Sequence, residues 1–223
     1  MKRLLVVALG LMLVFALAAM AQETAGGKIS WGLKAGLGLA NVTGDSAKAD
    51  PGWSKKARMG FGGGAMVEYK LSPAIAARLE LLYMMKGAKY DSGSVKITAK
   101  TDYLEFPLTV QISPQMKGKI QPTFFAGPYL GMLLSGKFKT EGYADAAENG
   151  EFDVKDSLMK KTDFGITFGA GFDYKMEKAA ITFDLRYDLG MSKVRKLVGT
   201  ENTEAPNDKL TGIFFLVGYK FGY

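Results

Sequence analysis

The chain contains no cysteine and no histidine among its 223 residues. Without cysteine it can form no disulfide, no thiol nucleophile and no lipid anchor attached through a cysteine. Without histidine it lacks the side chain that most often serves as a general base near neutral pH and as a metal ligand. These absences favour a protein that is not an enzyme, and we expect no catalytic residue, no cofactor and no metal site.

Long apolar runs are also scarce. One lies at the amino terminus, where Lys2 and Arg3 precede an uncharged stretch that is followed by Ala19-Met20-Ala21. This pattern predicts a secretory signal peptide at residues 1–21, with a membrane anchor as the alternative. Farther along, no uncharged run reaches the roughly 20 residues that a membrane helix needs. The exported chain is then either soluble or inserted as a β-barrel. We expect residues 22–28 to form a short periplasmic segment before the first strand.

What the chain has instead is a regular alternation of apolar and polar residues, which is typical of β-strands with one apolar face. It predicts eight strands, at 29–40, 58–69, 75–87, 103–112, 120–135, 163–174, 181–192 and 210–223. The connectors alternate between short turns, at 70–73, 113–119 and 175–178, and long polar loops, at 42–57, 88–102, 136–162 and 193–209. An even strand count with this alternation predicts an all-β, eight-stranded, antiparallel up-and-down transmembrane β-barrel over 29–223, with short periplasmic turns and long extracellular loops.

The distribution of glycine and aromatic residues indicates which face meets water. Glycines fall on the polar faces, where they suit a crowded interior better than a solvated exterior. The apolar faces end in Trp31, Tyr69 and Tyr174, as expected for aromatic girdles at the bilayer interfaces. The alternative is a soluble sandwich or barrel with the two faces exchanged. The closing aromatics predict an insertion signal for the barrel-insertion machinery, at Tyr219, Phe221 and Tyr223.

The predicted strand phases send charged side chains of both signs into the lumen. The cations are Lys34, Arg58, Arg78, Lys86, Arg186 and Lys220, and the anions are Glu68, Glu80, Glu105, Asp163, Asp173, Asp184 and Asp188. An eight-stranded barrel is just wide enough for side chains to fill, and buried charge is tolerated only when it is paired. We therefore expect a lumenal ion network centred on Arg186, with a narrow path for ions or solutes as the alternative. A turn centred between Met176 and Glu177 predicts Thr167 opposite Arg186.

Several short strings resemble the PorT-type outer-membrane β-barrel family of the Bacteroidetes and their relatives. They are GLKAGL at 32–37, LELLY at 79–83, KGAK at 86–89, YLEFPL at 103–108, AGPYLG at 126–131, DFG at 163–165, LRYDLG at 185–190 and GYKF at 218–221. The resemblance implies an eight-stranded barrel in the outer membrane and, through the founding type, a link to protein secretion. Met84 and Met85 replace the Ser-Gln pair that is more usual there, so no polar role is carried over to them.

Three functions follow from this interpretation. The first is a non-enzymatic integral barrel that serves the envelope's architecture or a secretion or assembly system; the second is a narrow pore; the third is a surface binder or adhesin. The expected partners are outer-membrane lipid and lipopolysaccharide, whose phosphates Lys89, Lys96 and Lys100 could bind. The alternative is that these lysines belong to plain solvated loops. Nucleic acid is not expected despite a pI of about 9.3, because no basic stripe alternates with aromatics. Asp91-Ser92-Gly93 resembles an aspartic-protease loop but has no second copy.

Overall fold

The structure is a computed structural model that describes residues 29–44, 52–143, 149–154, 159–195 and 207–222. The predicted signal peptide, the predicted periplasmic segment at 22–28 and Tyr223 lie outside the described residues. In the part of the chain that is described, no helix is long and apolar enough to cross a membrane.

Within these ranges the chain folds into one antiparallel sheet. Its strands are β1 (Ile29–Thr43), β2 (Ser54–Lys70), β3 (Ile75–Ser92), β4 (Val95–Ile112), β5 (Ile120–Glu141), β6 (Gly150–Asp153), β7 (Thr162–Lys175), β8 (Ala179–Gly190) and β9 (Lys209–Phe221). The sheet order is β4-β3-β2-β1-β9-β8-β7-β5-β6, and the additional pairing of β4 with β5 closes the ring. The short β6 pairs with β5 alone. The predicted eight-stranded up-and-down barrel is therefore confirmed.

The outer surface of the ring carries a broad apolar band. In this band every second residue points outward, so that Leu108 on β4 and Phe124 on β5 are 54% and 52% exposed while the residues on either side of each are buried or half-buried. Such a surface suits lipid tails, and the predicted orientation of the two faces is confirmed. Trp31 stacks on Phe221 at the end of the band that carries the short turns, with a ring-centroid distance of 4.5 Å. The register brings Tyr69, Tyr174 and Tyr219 to this same end.

The hairpin between β7 and β8 has a different register from the predicted one. Thr167 lies opposite Asp188, and Gly169 lies opposite Arg186, so the pairing is displaced by two residues. The cause is the position of the turn, since Lys175 pairs with Ala180 and the turn is centred one residue later than predicted. A displacement of two residues keeps every side chain on its face, and the predicted faces of both strands therefore remain correct.

Several strands continue well beyond the apolar band. β3 and β4 form a hairpin that ends at Ser92 and Val95, so the loop predicted at 88–102 is wrong. Its tip contains Gly93, whose φ of +57° favours glycine. Alternation persists through Val95, Ile97 and Ala99, which explains why the segment forms a strand. β2 and β5 likewise extend into the loops predicted at 42–57 and 136–162.

This extension, on the side of the barrel opposite the short turns, is the extracellular side in barrels of this kind. We call it the upper barrel. It comprises residues 40–44, 52–57, 87–101, 135–143, 149–154, 159–162, 191–195 and 207–210. The remaining described residues form the lower barrel, which carries the apolar band.

Candidate functional site

The thirteen charged residues predicted to face the lumen all lie inside the lower barrel. Each is buried, with between 0% and 6% of its surface exposed. They come from β1, β2, β3, β4, β7, β8 and β9, because the inward-pointing positions of these strands converge on one narrow interior.

At the periplasmic end, the ion pairs begin with Lys220. Its ammonium lies 2.6 Å from a carboxylate oxygen of Asp173 and 2.9 Å from one of Glu68. The other Glu68 oxygen accepts a hydrogen bond from Nε of Arg78 at 2.8 Å and lies 2.7 Å from its Nη2. Glu68 therefore links the periplasmic mouth to the middle of the barrel.

In the middle of the barrel, Asp184 joins two cations. Its Oδ2 lies 2.5 Å from the ammonium of Lys34 and 3.0 Å from Nη1 of Arg78. Lys34 also contacts Glu80 at 2.6 Å, and the second oxygen of Glu80 lies 2.9 Å from Nη1 of Arg186. These contacts carry the ion pairs across the lumen, from β3 to β1 and β8.

Toward the upper barrel, Arg186 continues the series. Its Nε lies 3.4 Å from Asp188, and its guanidinium also donates hydrogen bonds to the hydroxyl of Thr167. Lys86 lies 3.3 Å from Asp188 and 2.5 Å from Glu105. A continuous series of ion pairs, which we call the lumenal ion chain, thus runs from Asp173 and Lys220 to Glu105.

Two of the predicted residues stand apart from this chain. Arg58 donates its hydrogen bond to the backbone carbonyl of Lys86. Asp163 accepts hydrogen bonds from Tyr129 at 3.0 Å and from Ser192 at 2.6 Å. The alternation of β2 and β7 places both residues inside the barrel. Their hydrogen-bond partners there are a backbone carbonyl and two hydroxyl groups.

Arg186 lies between Asp184 and Asp188 on the inward face of β8, but it pairs with only one of them. Arg186 pairs with Asp188 and Glu80, whereas Asp184 turns to Lys34 and Arg78. Residues two apart on a strand share a face, but a partner across the lumen can lie closer than the neighbour along the strand. The centre of the chain is therefore shared among residues of β1, β3 and β8.

Aromatic side chains that the sequence analysis did not single out fill the space between the charges. The ring of Phe125 lies 5.3 Å from the guanidinium carbon of Arg78 and 6.0 Å from that of Arg186. A Cβ atom on Gly169, opposite Phe125, would lie 2.5 Å from this ring, so glycine makes room for it. The sequence contains a pattern that could have predicted this packing, because a large aromatic residue at an inward-pointing position of β5 faces a glycine-rich β7.

The lower barrel offers little for bond-making chemistry. Its carboxylates are shielded from solvent, and most are engaged by a cation. Among the described residues, no group of three or more acidic side chains has an arrangement that could hold a metal ion. Asp91, in the string that resembles a protease loop, lies on the β3 hairpin and pairs with Lys56 at 2.8 Å. The arrangement is suited to filling and closing the barrel.

The upper barrel has the opposite arrangement. Its inner surface is apolar, and its buried residues form one cluster with Tyr103 and Leu133 at the top of the lower barrel; they are Val42, Ala88, Val154, Met159, Val194 and Leu210. Its outer surface carries ion pairs, such as those of Glu151 with Lys100 at 2.5 Å and with Lys137 at 2.6 Å. Hydrogen bonds from these two lysines lower the pKa of Glu151 to about 2.

A closed ring of antiparallel strands, an apolar outer band and an interior filled with paired charges define an outer-membrane β-barrel. A family model described as "Outer membrane protein beta-barrel domain" matches residues 20–195, and the chain belongs to that family. None of the curated proteins compared with the chain matches it.

Solved structures of small barrels are similar to the chain. OprG from Pseudomonas aeruginosa is 14% identical, over 86% of this chain and 94% of that one, with a TM-score of 0.47. Neisserial surface protein A is 10% identical, over 86% and 97%, with a TM-score of 0.47. Escherichia coli outer membrane protein W is 19% identical, over 86% and 97%, with a TM-score of 0.42.

Proposed function

We propose that the chain is a non-enzymatic protein of the bacterial outer membrane whose barrel is closed by the lumenal ion chain. The observation that carries this proposal is the continuity of the chain, from Lys220 at the periplasmic mouth to Glu105 below the upper barrel. The barrel then serves as a fixed element of the envelope and not as a passage through it.

The energetics of buried charge support a closed lumen. Each cation of the chain touches two anions, and an entering ion would have to separate groups that lie 2.5–3.4 Å apart. Breaking a buried ion pair costs about 3–5 kcal/mol, because it leaves an uncompensated charge away from water. Phe125 and Tyr129, both buried, fill space between the charged side chains.

The finer assignment is a role in protein secretion or envelope assembly. It is supported by the strings that resemble PorT-type barrels, which supply inward residues of the ion chain such as Lys34, Glu80 and Arg186. In this proposal the segment at 1–21 directs export, the closing aromatics serve the insertion machinery, and secretion or assembly proteins are the partners. The closed barrel is then a membrane-embedded platform for them.

Planar-bilayer recording tests the proposal. The purified chain is expected to give no steady openings, because the ion chain blocks the lumen. The double variant Lys34→Ala with Asp184→Ala removes one cation and one anion from the middle and is expected to conduct. The control double variant Lys137→Ala with Glu151→Ala, on the outer surface of the upper barrel, is expected to stay closed. Steady openings of the unaltered chain that change on neutralising Asp184 would establish the narrow pore instead.

Lipopolysaccharide is proposed as a lipid partner of the upper barrel's outer surface. The strand register places Lys56 beside Lys89, and Lys100 beside Lys137, on the face opposite the apolar interior. In this proposal the lysines, which lie beyond the apolar band, meet the headgroup phosphates of the outer leaflet. Ammonium groups bind phosphate through charge-assisted hydrogen bonds.

A binding comparison tests this partner. The chain in phospholipid nanodiscs is expected to bind lipopolysaccharide more tightly than its dephosphorylated form. Lys89→Ala with Lys96→Ala should weaken binding several-fold. The matched control is Lys117→Ala with Lys119→Ala, which removes the same charge from the turn at the periplasmic end. Equal binding of both lipid forms, or equal losses in both variants, would contradict the assignment.

A further inference from the structure

The interior of the upper barrel contains a cavity of about 510 Å³. Its lining comes from β1, β3, β4, β5, β6 and β9 and from the segments around Met159 and Val194. The cavity lies against the buried apolar cluster, in which Tyr103, Leu133 and Leu210 are 0%, 4% and 1% exposed. Its lining residues all belong to the upper barrel, on the extracellular side of the lumenal ion chain.

The lining is almost wholly apolar. Its apolar lining residues include Tyr90, Ile97, Phe138 and Phe152. Water is held in a cavity by two to four polar partners, and cavities without them stay poorly hydrated. This cavity is therefore better suited to an apolar molecule than to water. Its volume lies in the range of about 300–1,000 Å³ that is usual for small-molecule sites.

The charges near the cavity indicate that its ligand carries no net charge. Arg195 and Asp208 are the charged residues of the lining, and they lie 3.5 Å apart as an ion pair. Lys55, which points to the same side of the sheet as Tyr90, donates a hydrogen bond to the backbone carbonyl of Val42. A charged ligand would have to compete with these contacts, whereas an apolar one would leave them intact.

We propose that the upper barrel binds a small, uncharged, apolar molecule that enters from outside the cell, in the cavity walled by Tyr90, Ile97, Phe138 and Phe152. The outer surface of these strands is polar, with Lys89, Lys96 and Lys139 pointing away from the cavity, so the site is a pocket within the strands and not a lateral groove in the bilayer. Binding there does not require that the lower barrel conduct, and it stands independently of the closed-lumen proposal.

Photolabelling of the full chain in phospholipid nanodiscs tests the site. The probe is trifluoromethyl phenyl diazirine, a small apolar compound, and labelled peptides are identified by mass spectrometry. Labelling of the peptides that contain Tyr90, Ile97 and Phe138 is expected to saturate with probe concentration and to be displaced by toluene. Labelling of the apolar band by probe dissolved in the bilayer is expected to rise without saturation, which separates the two populations.

Matched variants on one strand sharpen the test. Ala99→Phe places a ring in the cavity and is expected to lower saturable labelling about tenfold. Thr98→Phe places the same ring on the outer face and is expected to leave it unchanged. Ile97→Phe is the second filling variant, and a shift in gel mobility on boiling shows which variants are folded. The proposal would be overturned if labelling of the cavity peptides did not saturate, or if those peptides were not labelled because the chain's own segments cover them. Equal labelling in all folded variants would also overturn it.

Discussion

The lower and upper parts of the barrel are built from the same strands with opposite faces. On β4 of the lower barrel, Glu105 points inward and Leu108 points outward to lipid, with 0% and 54% of their surfaces exposed. Higher on the same strand, Ile97 lines the apolar cavity and Lys96 points outward to water. Alternation is continuous along the strand, but the chemical nature of its two faces is exchanged.

The medium around the barrel decides which face of a strand is apolar. Where lipid surrounds the strands, charges can remain only inside, and they do so by pairing with one another. Where water surrounds them, the usual order of a soluble protein returns, with apolar residues inside. A register shift between β4 and β5 at Asp102/Tyr103 lies close to the height at which the two arrangements meet.

The largest effect is expected from breaking the ion chain in the lower barrel. Arg186→Met removes the partner of Glu80 and Asp188 and leaves both carboxylates partly uncompensated in the interior. The free energy of unfolding is expected to fall by about 3–5 kcal/mol. Urea unfolding of the chain in lipid vesicles, followed by its shift in gel mobility on boiling, measures the change.

The control for this variant is Lys100→Met, which breaks an ion pair on the outer surface of the upper barrel. Solvent screens this pair, so the loss is expected to be about 1 kcal/mol or less. Equal stabilities of Arg186→Met and the unaltered chain would show that the ion chain is not a structural element.

The sequence was sufficient to predict the ring and the inward placement of its charges, because both depend on alternation within single strands. Lys34 or Asp184 can be assigned to the lumen from its neighbours alone. Its partners cannot, because the contact between Lys34 and Asp184 joins residues 150 positions apart. Which oxygen meets which ammonium depends on stagger and barrel diameter, and no single strand contains that information.

The upper barrel was missed for a physical reason of another kind. Its strands carry lysine, threonine and serine on the outer face, and this polarity, together with Gly93, resembles a loop when a lipid-facing strand is expected. The alternation of Tyr90, Ile97 and Ala99 with polar residues was present throughout. It could have been found by testing for strands with either assignment of the apolar face.

A charge introduced on the outer surface should also distinguish the two regions, with a smaller loss in the free energy of unfolding than Arg186→Met. Leu37→Arg places a guanidinium in the apolar band of the lower barrel, where Leu37 lies between Phe61 and Phe215 on the adjacent strands. The free energy of unfolding is expected to fall by about 2–4 kcal/mol if the position lies near the bilayer midplane. The same measurement on Thr98→Arg, on the outer face of the upper barrel, is expected to give a change within about 0.5 kcal/mol. Equal losses at both positions would contradict the assigned height of the membrane.

The smallest effect is expected from acid in the upper barrel, where Glu151 joins β6 to the lysines of β4 and β5. Its pKa lies near 2 in the folded chain, against an ordinary value of 4.5, because Lys100 and Lys137 donate hydrogen bonds to its carboxylate. A lowered pKa in the folded state stabilises the fold above pH 4.5, and this contribution is lost as the pH falls toward 2. Hydrogen exchange of the peptide containing Phe152, corrected for the intrinsic rate at each pH, is expected to accelerate modestly over that interval. Glu151→Gln should remove the dependence, and an unchanged pH profile in that variant would show that another group holds β6 against β5.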